Sequence, residues 1–149
     1  MEKLKKTGFS VAIIALALSA GFEANAQKAT GQSQLPATAQ TFITDNFAGQ
    51  TIKSFTVDKD LRTTEYDVVI SNGATFEFDK DGNWEEIDGN TSTIPASVLP
   101  KAIADYINQN HSGMSIVEVE KDKKKYEVEF SDGTDLEFDL NGKLMKIDK

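Results

Sequence analysis

The sequence predicts an α+β fold made of two tandem repeats, each one helix followed by a four-stranded antiparallel meander, with the helices packed on one face of the sheets. Three observations carry this reading. Tyr126-Glu127-Val128-Glu129-Phe130-Ser131-Asp132-Gly133 restates Tyr66-Asp67-Val68-Val69-Ile70-Ser71-Asn72-Gly73, and Leu136-Glu137-Phe138-Asp139-Leu140-Asn141-Gly142 restates Phe76-Glu77-Phe78-Asp79-Lys80-Asp81-Gly82. Within each stretch apolar and polar residues alternate with the period of two that strands show. Asn-Gly and Asp-Gly pairs interrupt the alternation where tight turns belong.

Residues 1–26 read as a secretory signal peptide: Lys3, Lys5 and Lys6, then an apolar run from Phe9 to Leu18, then Ala24-Asn25-Ala26 before Gln27. The run is shorter than the ~20 residues of a spanning helix, so no membrane insertion is expected once it is removed. A small, polar leader follows over 27–34.

The first repeat is expected over 35–90 and the second over 91–149. Leu35-Pro36 opens the first, because a helix's first turn has no use for the N–H that proline lacks. Ala39, Phe42, Ile43 and Phe47 then share one helical face, and Gly49 stops it. Leu99-Pro100 opens the second in the same way, with Ile103, Tyr106 and Ile107 on the face and Gly113 at the end. A strand near Ile52–Asp58 or Ile116–Lys121 comes next. The clearest strands follow, about Glu65–Ser71 and Ala74–Asp79, then Lys125–Ser131 and Thr134–Asp139. A short last strand carries Trp84 and Ile87, or Leu144 and Ile147. Gly89–Pro95 joins the repeats and is too short for a free tether.

The formal net charge of −8 disfavours nucleic acid and anionic membrane surfaces. An electrostatic partner should be cationic: a metal ion, a basic protein patch or a basic peptide. With no cysteine and a single histidine, the chain offers no disulfide, no thiol chemistry and no multi-histidine zinc site. No Gly-x-Ser-x-Gly elbow occurs, and His111 stands at a helix end where the first repeat has Phe47, so an enzyme is not expected and no cofactor is called for.

The polar face of the strands is the candidate site. Asp67, Val69, Thr75 and Glu77 line it in the first repeat, and Glu127, Glu129, Asp135 and Glu137 in the second. Carboxylates clustered on adjacent strands repel unless solvent, a cation or a basic partner relieves them. The function expected is a non-enzymatic exported module, periplasmic or secreted, that presents this face to a protein or peptide. The alternative is a calcium-binding protein using the acidic turns at Asp79, Asp81, Asp139 and Asn141. Counted from Glu77, Asp79, Asp81, Gly82 and Asp88 fall at positions 3, 5, 6 and 12 of a calcium loop, but a strand precedes them where that loop needs a helix.

The signal, the helix-plus-meander plan and the Tyr-x-Val-x-[Ile/Phe]-Ser-[Asn/Asp]-Gly and Phe-Asp-x-[Asp/Asn]-Gly stretches resemble the β-lactamase-inhibitor-like, PepSY-like proteins that bacteria export. The resemblance spans Leu35 to Lys149 and implies helix-plus-sheet units with an inhibitor-like, protein-binding role. The chain departs from the inhibitor in having no cysteine and no stretch matching its enzyme-contacting loops.

Overall fold

A computed structural model describes residues 35–149. The expected signal peptide and leader, 1–34, lie outside them. Helix α1 (Ala37–Asn46) leads into β1 (Ile52–Lys59), β2 (Thr64–Ile70), β3 (Thr75–Phe78) and β4 (Trp84–Asp88). A 3₁₀ turn (Ala96–Val98) and α2 (Lys101–Asn110) follow, then β5 (Ile116–Lys121), β6 (Lys125–Phe130), β7 (Asp135–Asp139) and β8 (Leu144–Asp148). Pro36 and Pro100 occupy the two helix N-caps, as the missing proline N–H allows.

The expected architecture of two repeats, each one helix followed by a four-stranded antiparallel meander, is overturned, although the α+β class holds. All eight strands form one antiparallel sheet in the order β1 to β8. The join is β4 against β5, where Glu86 faces Glu120, Ile87 faces Val119 and Asp88 faces Glu118. The linker reinforces it: Gly89 N–H donates to Val117 O at 2.8 Å and Ile94 N–H to Ile116 O at 2.9 Å. Two separate four-stranded units would have four edges with unmet backbone groups, and pairing β4 with β5 satisfies two of them, leaving β1 and β8 as the outer strands.

Both helices lie on one face of this sheet. Phe47 meets Phe76 edge-on at 4.9 Å and Phe42 meets Phe78 at 6.0 Å, while Tyr106 meets Phe138 at 5.4 Å. Val68, Ile70, Phe76, Phe78, Ile87, Val119, Val128, Phe130, Leu136 and Phe138 are all fully buried beneath them in one continuous core. Trp84 belongs to that core, against Phe42 and, across the join, Tyr126 at 6.2 Å. His111 stacks on Phe130 at 5.4 Å, a packing role.

Each helix start presses on a hairpin turn, and glycine makes the approach possible. A Cβ on Gly82 would lie 2.8 Å from Pro36 Cβ and 2.9 Å from Ala39 N, and one on Gly142 would lie 2.7 Å from Ala102 Cβ. Both residues have φ above +80°, where an L side chain is strained. Gly73 shares the positive φ but has nothing within 4 Å of its would-be Cβ. Gly82→Ala should therefore cost about 2–4 kcal/mol, strain plus overpacking, against roughly 1–2 kcal/mol for Gly73→Ala. Urea unfolding of the two variants checks the difference; equal losses would mean that the helix does not bear on the turn.

Candidate functional site

The face away from the helices is organised by strand register. Because directly opposed residues share a face, the pairings chain across the sheet: Thr56, Asp67, Glu77, Glu86, Glu120, Glu127, Glu137 and Lys146 form one row, one residue per strand. A second row runs Ser54, Val69, Thr75, Asp88, Glu118, Glu129, Asp135 and Asp148. All eight residues expected on the binding face lie in these rows. Sequence reasoning missed the middle of the face, Glu86 and Asp88 on β4 and Glu118 and Glu120 on β5. The alternation of Val117-Glu118-Val119-Glu120 was the available signal.

Crowding moves the charges. Burial, reinforced by the charges of Glu65, Asp67, Glu85 and Glu120, pushes the Glu77 carboxyl up to about 7. Glu86 also rises to about 7, through burial and then Glu118, Glu77, Glu120 and Asp88. Glu118 does the same through burial and then Glu129, Asp88, Glu120 and Asp135. Asp67 is raised by burial, with a hydrogen bond from Thr56 opposing and Asp58 adding to the rise.

One corner of the face is tighter. Opposite Glu77 and Phe78, β4 carries one extra residue, Glu85, a bulge that turns its carboxylate to the acidic side next to Glu86. Oxygens of Glu65, Glu77 and Glu85 there lie within 4.8 Å of one another. Burial, then the charges of Asp79 and Glu65, raise Glu85, while Lys121 and Lys123 pull it back. The corresponding corner near β8 is built differently. Lys125, which precedes Tyr126 as Glu65 precedes Tyr66, sets its ammonium 2.9 Å from Glu127 and 3.3 Å from Glu137. Met145 takes the bulge position there. A fixed cation thus sits in one corner, where the other has a third carboxylate.

The hairpin candidates are engaged in closing their turns. Asp79 Oδ1 accepts from Asp81 N–H and Asn83 N–H, both at 2.9 Å, and Asp139 Oδ1 accepts likewise from Asn141 and Lys143. Burial opposes ionisation of Asp79, and the hydrogen bonds from Asn83, Asp81 and Gly82 outweigh it and lower its pKa. Asp81 pairs with Lys80 at 2.8 Å. Among the described residues, the group of three acidic side chains that converges on one point is Glu65, Glu77 and Glu85.

The profile of a family described as "Putative beta-lactamase-inhibitor-like, PepSY-like" matches residues 64–146, from the first residue of β2 into β8. The chain belongs to this PepSY-like family. Solved structures agree in fold. A Bacteroides thetaiotaomicron protein described as a "putative calcium-regulated periplasmic protein" is 38% identical, with a TM-score of 0.72, over 78% of this chain and 92% of that one. A periplasmic protein of Bacteroides vulgatus is 37% identical with a TM-score of 0.72 over the same shares. Another from that species, of unknown function, is 32% identical with a TM-score of 0.71, over 78% of this chain and 94% of that one. No protein of curated function matches the chain. This PepSY-like protein is exported, periplasmic or secreted, and among the described residues no helix is long and apolar enough to cross a membrane.

The raised carboxyls of the PepSY-like sheet set a sign for pH dependence. Glu77, Glu86 and Glu118 hold protons in the folded state up to about pH 7, whereas unfolding returns them to an ordinary value of 4.5. Between those limits the folded state binds more protons, so stability falls as pH rises through the window. The melting temperature should be higher at pH 5 than at pH 8, measured without divalent ions. A melting temperature that rises from pH 5 to pH 8 would contradict the raised carboxyls.

Proposed function

We propose that this PepSY-like protein is a non-catalytic periplasmic binding module whose acidic face takes cations, with Ca²⁺ held by Glu65, Glu77 and Glu85. The convergence of those three carboxylates carries the reading. Calcium is a hard ion that accepts carboxylate oxygens at about 2.3–2.6 Å in flexible geometry, so oxygens on opposite sides of one ion stand up to ~5 Å apart. The Lys125 corner supports the assignment: where a side chain supplies the positive charge, two carboxylates gather around it. Calcium regulation in the description of the 38%-identical Bacteroides protein fits the same chemistry.

A second reading has its own support. The acidic rows continue past this corner and across the β4–β5 join to Glu127, Glu129, Asp135 and Glu137, more charge than one ion needs. A basic segment of a protein or peptide laid across the strands would meet Asp67, Val69, Thr75 and Glu77 first and those four next. The two ligands would compete, because Glu77 serves both.

Calorimetry with Ca²⁺ at pH 8 should show saturable binding that weakens at pH 6, where protons occupy Glu77. Glu77→Gln should weaken it at least roughly tenfold, the loss of one charged ligand. Glu65→Lys, which copies the Lys125 corner, should abolish the response and raise the melting temperature of the calcium-free protein. Glu137→Gln should leave binding unchanged. No saturable heat at pH 8, or binding indifferent to Glu65 and Glu77, would overturn the calcium assignment.

A further inference from the structure

β8 is an outer strand. β7 flanks it on one side, and among the described residues no strand pairs with the other. Ile147 sits opposite Leu136 on the helix-covered face, yet it is 50% exposed, whereas Ile87, opposite Phe76 on the same face, is fully buried. The neighbouring strand makes the difference, for β5 lays Val119 against Ile87 and, among the described residues, β8 has no such cover. An open backbone edge beside an exposed apolar side chain accepts an added strand.

The side chains on the acidic side specify which strand fits. Lys146 and Asp148 flank Ile147, and an ion pair of 2.6 Å holds both on one face. Turned antiparallel to itself about Ile147, the strand sets Ile147 against Ile147 of the second copy and each Lys146 against the other's Asp148. Apolar meets apolar and opposite charges meet twice, the self-complementarity that a two-fold interface requires.

We propose that β8 pairs antiparallel with β8 of a second copy of this chain, centred on Ile147, joining two sheets edge to edge. A two-fold axis across such a pair is perpendicular to the sheet, so both acidic faces point the same way and the binding surface doubles. The strand is short, so the association is weak and depends on concentration.

Sedimentation velocity over a concentration series of the exported form tests this independently of any ligand. A reversible dimer is expected. Lys146→Asp and Asp148→Lys, each placing like charges opposite each other twice, should raise its dissociation constant roughly tenfold. Combining the two exchanges restores the complementarity and should restore the dimer. Melting curves confirm that each variant is folded. A monomer throughout, a dimer indifferent to the single exchanges, or larger assemblies built by β8 adding to β1 would overturn the proposal.

Discussion

The pairing of β4 with β5 is the interaction on which the rest of this structure depends. It places Glu86 opposite Glu120 and Asp88 opposite Glu118, like charges directly opposed, each costing some tenths to about 1 kcal/mol. Between them Ile87 meets Val119, both fully buried, and each such burial stabilises by about 1.5–3 kcal/mol. Backbone hydrogen bonds along the ladder and from the linker add about 0.5–1.5 kcal/mol apiece. Burial and the ladder win, and the repulsion is retained as a property of the other face.

That retained repulsion links fold to function. Burial first, and then the charges held on adjacent strands, raise these half-buried carboxyls so that they hold protons to about pH 7. A bound cation would relieve the same stress. Lys125 relieves it internally for Glu127 and Glu137, and Lys146 closes the row at the β8 edge. The corner of Glu65, Glu77 and Glu85 has a third carboxylate where the other corner has Lys125, and that difference is the basis of the proposed cation site.

Much of this was legible in the residues. Alternation over Tyr66–Ile70 and Tyr126–Phe130 assigned both faces of β2 and β6, and the proline-opened apolar faces of Ala37–Asn46 and Lys101–Asn110 located the helices. The single sheet was not legible, because pairing between β4 and β5 is a contact between separate stretches that no local pattern encodes. Two repeats with separate sheets and one continuous sheet share the same alternation. The corner of three carboxylates was hidden for a different reason. A bulge at Glu85 breaks the period of two, so counting along β4 assigns Glu85 and Glu86 to opposite faces when both turn to the acidic one. The turn residues Asp79 and Asp139 drew attention as possible ligands because a turn-closing carboxylate and a calcium ligand have the same composition. In the structure their Oδ1 atoms accept the backbone N–H groups that close the turns.

The central claim is that the carboxylates of the two rows are electrostatically coupled through the β4–β5 join. Following the glutamate side-chain carboxyl carbons by NMR across a pH titration, in the intact protein and in Glu120→Gln, tests it directly. The account predicts midpoints near pH 7 for Glu77, Glu86 and Glu118, all three shifting down when Glu120 on β5 loses its charge, although Glu77 and Glu86 belong to strands on the far side of the join. Midpoints at the ordinary glutamate value, or a Glu120→Gln effect confined to β5 and β6, would contradict it.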